Sequence, residues 1–355
     1  MFPLALVMFP HALRLILAQA AVSAFPVLLF LFALELIDTY KLLTLGRVLR
    51  SVLVGCAAAA VCYAINTGVY AAGLAPPSIW ARSGAPVIEE IAKALYVAWL
   101  LRSNRVGFMV DTAISGFAVG AGFAVLENLT YIPDLSASGL IASAIRGLGT
   151  AMMHGGATAI FGTVSANFSE IRGSRSPLVF LPGLAMAIAI HALYNQPWWR
   201  PVIAAVVVLV TLPAAIAFIF WRSEKVLAKW LGTKLDKDID LLQMIAGGTL
   251  SKSPVGKYMR SLENTFAPVI LGDMLSYLHL SLELSARAKG DLLRREMGFP
   301  VTGDPELPGQ LKELRFLESQ IGRAGKMALG PLLGQSRRDI WELQQLAEKT
   351  EQGSG

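Results

Sequence analysis

Glu89, Glu90 and Lys93 fall within five positions of an otherwise apolar stretch, VIEEIAKALYVAWLL at 87–101. An isolated charge at the centre of a bilayer costs about 2.5–3.5 kcal/mol even on lenient insertion scales, so three such groups need a reason. On a helix Glu89 and Glu90 diverge by about 100°, yet Lys93 stands one turn from both. One carboxylate can then be paired with the ammonium while the other stays free, the arrangement that a general base with an orienting neighbour requires. Farther along, Glu127, His154, His191 and Asn195 sit in three more apolar stretches. Two histidines and a carboxylate in a dry pocket suit zinc, which would activate a water and polarise a peptide carbonyl while a glutamate takes the proton. Donors drawn from separate helices carry no HExxH spacing. The competing readings are structural: an interfacial ion pair for Glu89, Glu90 and Lys93, a hydrogen-bonded packing role for His154, and a helix-end polar cluster for His191 with Asn195. Asp111 and Asn66 read as structural polar contacts.

The elements that must carry these groups are membrane helices. Hydrophobic residues make up 54% of 355 positions and charged residues 16%, too apolar for a soluble protein of this size. Residues 1–221 hold 12 Lys and Arg and 8 Asp and Glu, whereas 222–355 hold 19 and 17, so the composition changes near 222. Taking about 20 apolar residues per crossing, spans are expected near 14–37, 51–74, 86–101, 107–131, 147–168, 178–195 and 201–221. Cys56 and Cys62 point to different faces of one span and read as packing residues. The first 34 residues lack a basic leader and a clear cleavage site, and read as a retained anchor.

Basic residues divide the loops. Lys41, Arg47, Arg50, Arg102, Arg105, Arg172, Arg175, Arg222, Lys225 and Lys229 flank one side, and Arg82 and Arg200 the other. The positive-inside rule then puts the C-terminal part in the cytosol and the N-terminus outside. The net charge of +6 is modest and lies in short loops, which speaks for topology and against nucleic-acid binding. With the fifth span starting near Arg146, His154 lies about 12 Å below the outer surface, and Glu89, Glu90, Glu127 and His191 lie at about 6–10 Å. Small residues support convergence: Gly116, Gly120 and Ala124 share a stripe with Glu127, and Ala151, Thr158 and Gly162 share one with His154.

The motifs EEIAK (89–93), FAVLE (123–127), MHGGATAIFG (153–162) and HALYN (191–195) resemble, in order, those of the PrsW family of intramembrane proteases, over roughly residues 45–221. The family is similar in motif layout to the CAAX prenyl endopeptidases and bacteriocin-processing membrane proteases, whose second motif has histidine where this chain has Glu127. The resemblance implies a membrane-embedded peptidase of the bacterial inner (cell) membrane. Its expected substrates are membrane-anchored proteins such as anti-sigma factors. It also implies the site: Glu89, Glu90, Glu127, His154 and His191 as the catalytic set, Asn195 as a supporting donor and Lys93 as an orienting residue, and within that set Glu127, His154 and His191 are the ligands expected around zinc. Zinc is favoured because Glu127 keeps the site rich in ligands. A metal-free scheme, with Glu and His activating water and His and Asn holding the oxyanion, fits the same residues.

From Arg222 the chain reads as amphipathic helices near 224–231, 235–246, 255–297, 307–321 and 336–350, a cytosolic regulatory or oligomerisation domain. DKDID (236–240) is not a calcium loop, since Leu241 stands where an EF-hand needs glycine. His279 reads as a packing or surface residue. The fold expected is an all-α polytopic bundle of about seven spans, residues 1–221, followed by a helical domain, residues 222–355. A homo-oligomer is compatible with it. The competing function is a transporter or receptor using the same polar cluster for an ion or solute, although no internal repeat is visible.

Overall fold

The computed structural model describes residues 31–32, 44–130, 140–172, 176–198, 200–299 and 304–333. All regular elements among them are helical: α1 (Leu45–Ala71), α2 (Ala85–Arg102), α3 (Met109–Thr130), α4 (Leu140–Arg172), α5 (Leu181–Tyr194), α6 (Pro201–Ala246), α7 (Pro254–Ser261), α8 (Pro268–Glu296) and α9 (Leu307–Leu333). A π-helical turn, Trp80–Gly84, leads directly into α2. The chain divides into two compact units, Met1–Ser223 and Glu224–Gly355.

In the first unit α3 is the central helix, with 83% of its apolar window buried against 28% for α1. It packs against α1 on one side and α4 on the other, and α2 reaches α1, α3, α4 and α5. Close approach depends on glycine. A Cβ on Gly120 would stand 2.2 Å from the backbone oxygen of His154, and one on Gly122 would stand 2.0 Å from that of Val52. Backbones this close give dispersion and hydrogen bonding the leading role that the hydrophobic effect cannot play in lipid. Phe117, Ala118, Ala151 and Met153 fill the core between α3 and α4. Cys56 donates to the Gly122 carbonyl at 3.2 Å, and both cysteines are free.

Among the described residues, four helical segments are long and apolar enough to cross a membrane: Leu45–Ala71, Met109–Thr130, Pro177–Tyr194 and Pro201–Ile219. The expected spans at 86–101 and 147–168 form helices outside that class. α2 carries Glu89, Glu90, Lys93 and Arg102 in 18 residues, and α4 is diluted by Gly, Ser, Thr and His turned toward its neighbours. The expected span at 14–37 lies outside the described residues except for 31–32.

Several expected boundaries are corrected. α4 starts at Leu140, not near Arg146, because LIASAIR contains neither Pro nor Gly to stop a helix. α6 runs unbroken for 46 residues through the expected breaks after Trp221 and Leu231, with Pro213 inside it; one Gly at 232 costs only about 1 kcal/mol among strong helix formers. The helix expected at 255–297 is two. Pro268 offers no N–H and holds Ala267 extended (φ −61°, ψ 149°), so a new helix begins there. α9 passes the expected stop at 321 through a kink at Gly322 (φ 62°) and ends at Leu333. The helix expected at 336–350 lies outside the described residues.

The second unit has its own core, in which Met274, Leu280 and Leu284 of α8 meet Leu311, Leu314 and Leu317 of α9. Its buried Lys289 is neutralised by Asp238 at 2.8 Å and lies over the Trp230 ring. His279 is exposed.

Candidate active site

Four helices bring six of the expected residues together. α2 places Glu89, Glu90 and Lys93 on its buried side, α3 supplies Glu127 in its last turn, α4 supplies His154 opposite Gly120, and α5 supplies His191 in its last turn. Lys93, Glu90, His154 and His191 are each no more than 2% exposed and Glu89 is 7% exposed, so every charge here must be met by protein.

Lys93 and Glu90 form the floor. Lys93 Nζ donates to Glu90 Oε1 at 2.6 Å, lies 2.8 Å from His154 Nδ1, and sits over the Phe123 ring at 4.8 Å. The same Glu90 oxygen lies 2.8 Å from His191 Nδ1. An ionised carboxylate only accepts, so Nδ1 of His191 carries the proton and its Nε2 lone pair faces the cluster. That Nε2 is 3.8 Å from Glu89 Oε2. The two imidazoles meet edge to face, centroids 4.7 Å apart. His154, held through Nδ1, turns Nε2 to within 2.6 Å of Glu127 Oε2, yet that buried nitrogen makes no hydrogen bond.

Of the two neighbouring glutamates, Glu90 is thus committed to Lys93 and His191, while Glu89 faces the histidines. Glu89, His154 and His191 each bring one donor atom within 4.8 Å of the others, a set able to hold a metal ion. Glu127, expected as a third ligand, approaches His154 from the more open side, with 23% of its side chain exposed. Asn195 is placed differently from the other site residues: it follows the end of α5, and its amide donates to the carbonyl of Ala81 at 3.1 Å. Asp111 is structural, accepting from Gly107 N at 2.6 Å and Phe108 N at 2.8 Å at the start of α3.

Two residues escaped the sequence reading of the site. Asn66 of α1 donates from Nδ2 to Glu89 Oε1 at 3.1 Å, and Trp80 donates from its indole nitrogen to Asn66 Oδ1 at 3.0 Å. The available signal was an amide within an apolar span, which needs a partner wherever it lies. Spacing could not say which.

A family model described as PrsW family intramembrane metalloprotease matches residues 44–221, half of the chain. No curated protein and no solved structure matches it.

Proposed function

Since the chain belongs to the PrsW family of intramembrane metalloproteases, and is therefore a membrane-embedded protease, we propose that it hydrolyses a peptide bond of a membrane-anchored protein of the anti-sigma-factor type at the cluster just described. The observation that carries this reading is the convergence of Glu89, His154 and His191 from three helices. The donor set fits zinc: imidazole and carboxylate in a buried site, with one imidazole nitrogen, His154 Nε2, left without a hydrogen bond. Glu89, His154 and His191 would hold the metal, which when bound supplies a Lewis acid and a water acidified to a pKa of about 7.

The chain's own residues do the rest. Glu90 takes the Nδ1 proton of His191 in a hydrogen bond, so that ring presents Nε2 and cannot rotate away. Lys93 neutralises Glu90 and packs its Nζ 2.8 Å from His154 Nδ1. Glu127, more exposed than Glu89, is the proton acceptor that can reach both water and a substrate backbone, and it later returns the proton to the leaving amine. Asn195 serves by fixing Ala81 beside the site rather than by touching the scissile bond.

One contact favours a metal-free variant. An ammonium donates, so Lys93 would leave His154 with its proton on Nε2, facing Glu127, and the pair could activate water directly. Metal analysis of the purified protein separates the two. About one zinc per chain, lost in His154→Ala and in His191→Ala, is the expected result; full activity without bound metal selects the variant. Cleavage that persists in both histidine variants overturns the site itself.

In the proposed setting the chain crosses a bacterial inner membrane about seven times. Its N-terminus and catalytic cluster lie toward the outer face. Residues 222–355 form a cytosolic domain that regulates the protease or pairs it with a second copy.

A further inference from the structure

The cluster has a support on its α1 side that the catalytic scheme does not use. α1 exposes Tyr63, Ile65 and Tyr70 on the flank where Asn66 sits, and an amide there is costly unless both its ends are bonded. Both are. Trp80 Nε1 donates to Asn66 Oδ1 at 3.0 Å, and Asn66 Nδ2 donates to Glu89 Oε1 at 3.1 Å. The order of donors admits one orientation. An indole nitrogen only donates and a carboxylate only accepts, so Asn66 must turn its oxygen to Trp80 and its NH2 to Glu89. Glu89 thereby has one oxygen fixed by the amide while the other faces His191.

The indole is itself held in place. Trp80 opens the π-helical turn Trp80–Gly84, a rare local geometry that recurs near functional sites. At the end of that turn a Cβ on Gly84 would stand 2.3 Å from the Trp80 ring, so the ring lies flat on a position that only glycine leaves free. The next carbonyl, that of Ala81, is tied to Asn195. The turn is therefore anchored on the α5 side and aims Trp80 toward α1.

We infer that Asn66, oriented by Trp80, is a positioning residue that holds the Glu89 carboxylate in the attitude its partnership with His191 requires. This rests on the proposed role of Glu89 in the cluster. Residues that orient a metal-binding group typically change metal affinity or activity by about 10- to 100-fold when removed.

The test uses the full chain, zinc alone as the probe, and a fluorogenic single-span peptide that the wild type cuts. Asn66→Asp keeps shape and the Trp80 bond but replaces the donor facing Glu89, and Asn66→Ala removes it. Both should fold, judged by thermal unfolding, and weaken zinc binding by about 10- to 100-fold, with kcat falling and KM unchanged. Trp80→Phe and Gly84→Ala, which release the amide from behind, should act in the same direction and add nothing in an Asn66→Ala background. None should matter once Glu89→Gln is present. Unchanged zinc affinity and kcat in the Asn66 variants, while His154→Ala abolishes both, overturns the inference and leaves the protease reading standing. Should the wild type bind no zinc, the metal assignment fails separately and kcat decides: a fall in Asn66→Ala upholds the positioning role, and no change removes it.

Discussion

Lys93 shows how far a charged residue can be drawn into a membrane bundle when its neighbours answer it. The ammonium is fully buried, bonded to Glu90 and turned to His154. Removing one member of such a pair leaves the other buried and uncompensated, at a cost of about 3–5 kcal/mol, whereas replacing both is often tolerated. Lys93→Met is therefore expected to lower thermal stability markedly, and Lys93→Met with Glu90→Gln to recover much of it. A Lys93→Met protein as stable as wild type would mean that the pair contributes nothing to the fold. Glu89→Gln and Glu127→Gln keep shape while losing a ligand and a proton acceptor respectively. Each should abolish cleavage of a membrane-span peptide with the unfolding transition preserved. Zinc binding should fall in Glu89→Gln far more than in Glu127→Gln. The reverse order would exchange the two roles and return Glu127 to the ligand set that the sequence first pointed to.

Among the elements, α3 governs how closely the site can assemble. It has no room for a side chain at Gly120, where the backbone of His154 lies directly opposite. Gly120→Ala must part α3 from α4 at the level of the histidine, an overpacking worth about 1–3 kcal/mol. It should also weaken zinc binding, since it shifts His154, a proposed ligand, relative to Glu89 and His191. A control lies on α1: a Cβ on Gly46, the second residue of that helix, meets nothing, so Gly46→Ala should leave stability unchanged or slightly raised. If both substitutions behave alike in thermal unfolding and zinc titration, close backbone contact is not what sets the site.

For the whole molecule the division at Ser223 is the relevant feature, because every residue of the cluster precedes it. The second unit has an independent core and its own buried ion pair. A chain ending at Ser223 is expected to bind zinc like the full chain and to differ in oligomeric state or in delivery of substrate. Loss of zinc binding in a stably folded, truncated protein would show that the two units are not separable. With the cluster toward the outer face, as proposed, cleavage should fall at the extracytoplasmic end of a substrate's span. There the backbone must be extended before it can be cut, because a helix keeps its carbonyls bonded and closed. Shifting the scissile segment about seven residues toward the cytosol lowers it by about 10 Å and should abolish cutting. Mass spectrometry of the products from such a series reads this directly, and an efficient cut at the cytoplasmic end would reverse the orientation.

The sequence by itself determined what depends on local physics: the all-helical class, the change in composition near 222, and the residues that could not be in a bilayer without partners. EEIAK, FAVLE and the two histidine motifs were legible because charge and imidazole in apolar helices are costly, and because four of them in order resemble one family. Helix ends were less legible. Whether Gly232 breaks α6, or where α4 begins, depends on propensity differences of about 1 kcal/mol that tertiary packing easily overrides. Only the tertiary structure decided which partner each glutamate meets. Glu89 and Glu90 are equivalent in spacing from Lys93, and it is the placement of α5 that gives Glu90 to His191 and of α1 that gives Glu89 to Asn66. Asn195 shared a helical face with His191 in sequence, but the end of α5 turned its amide to Ala81. A helical period assigns a residue to a face. Which partner that face meets is set by the neighbouring helix, over distances in the chain that no spacing rule spans.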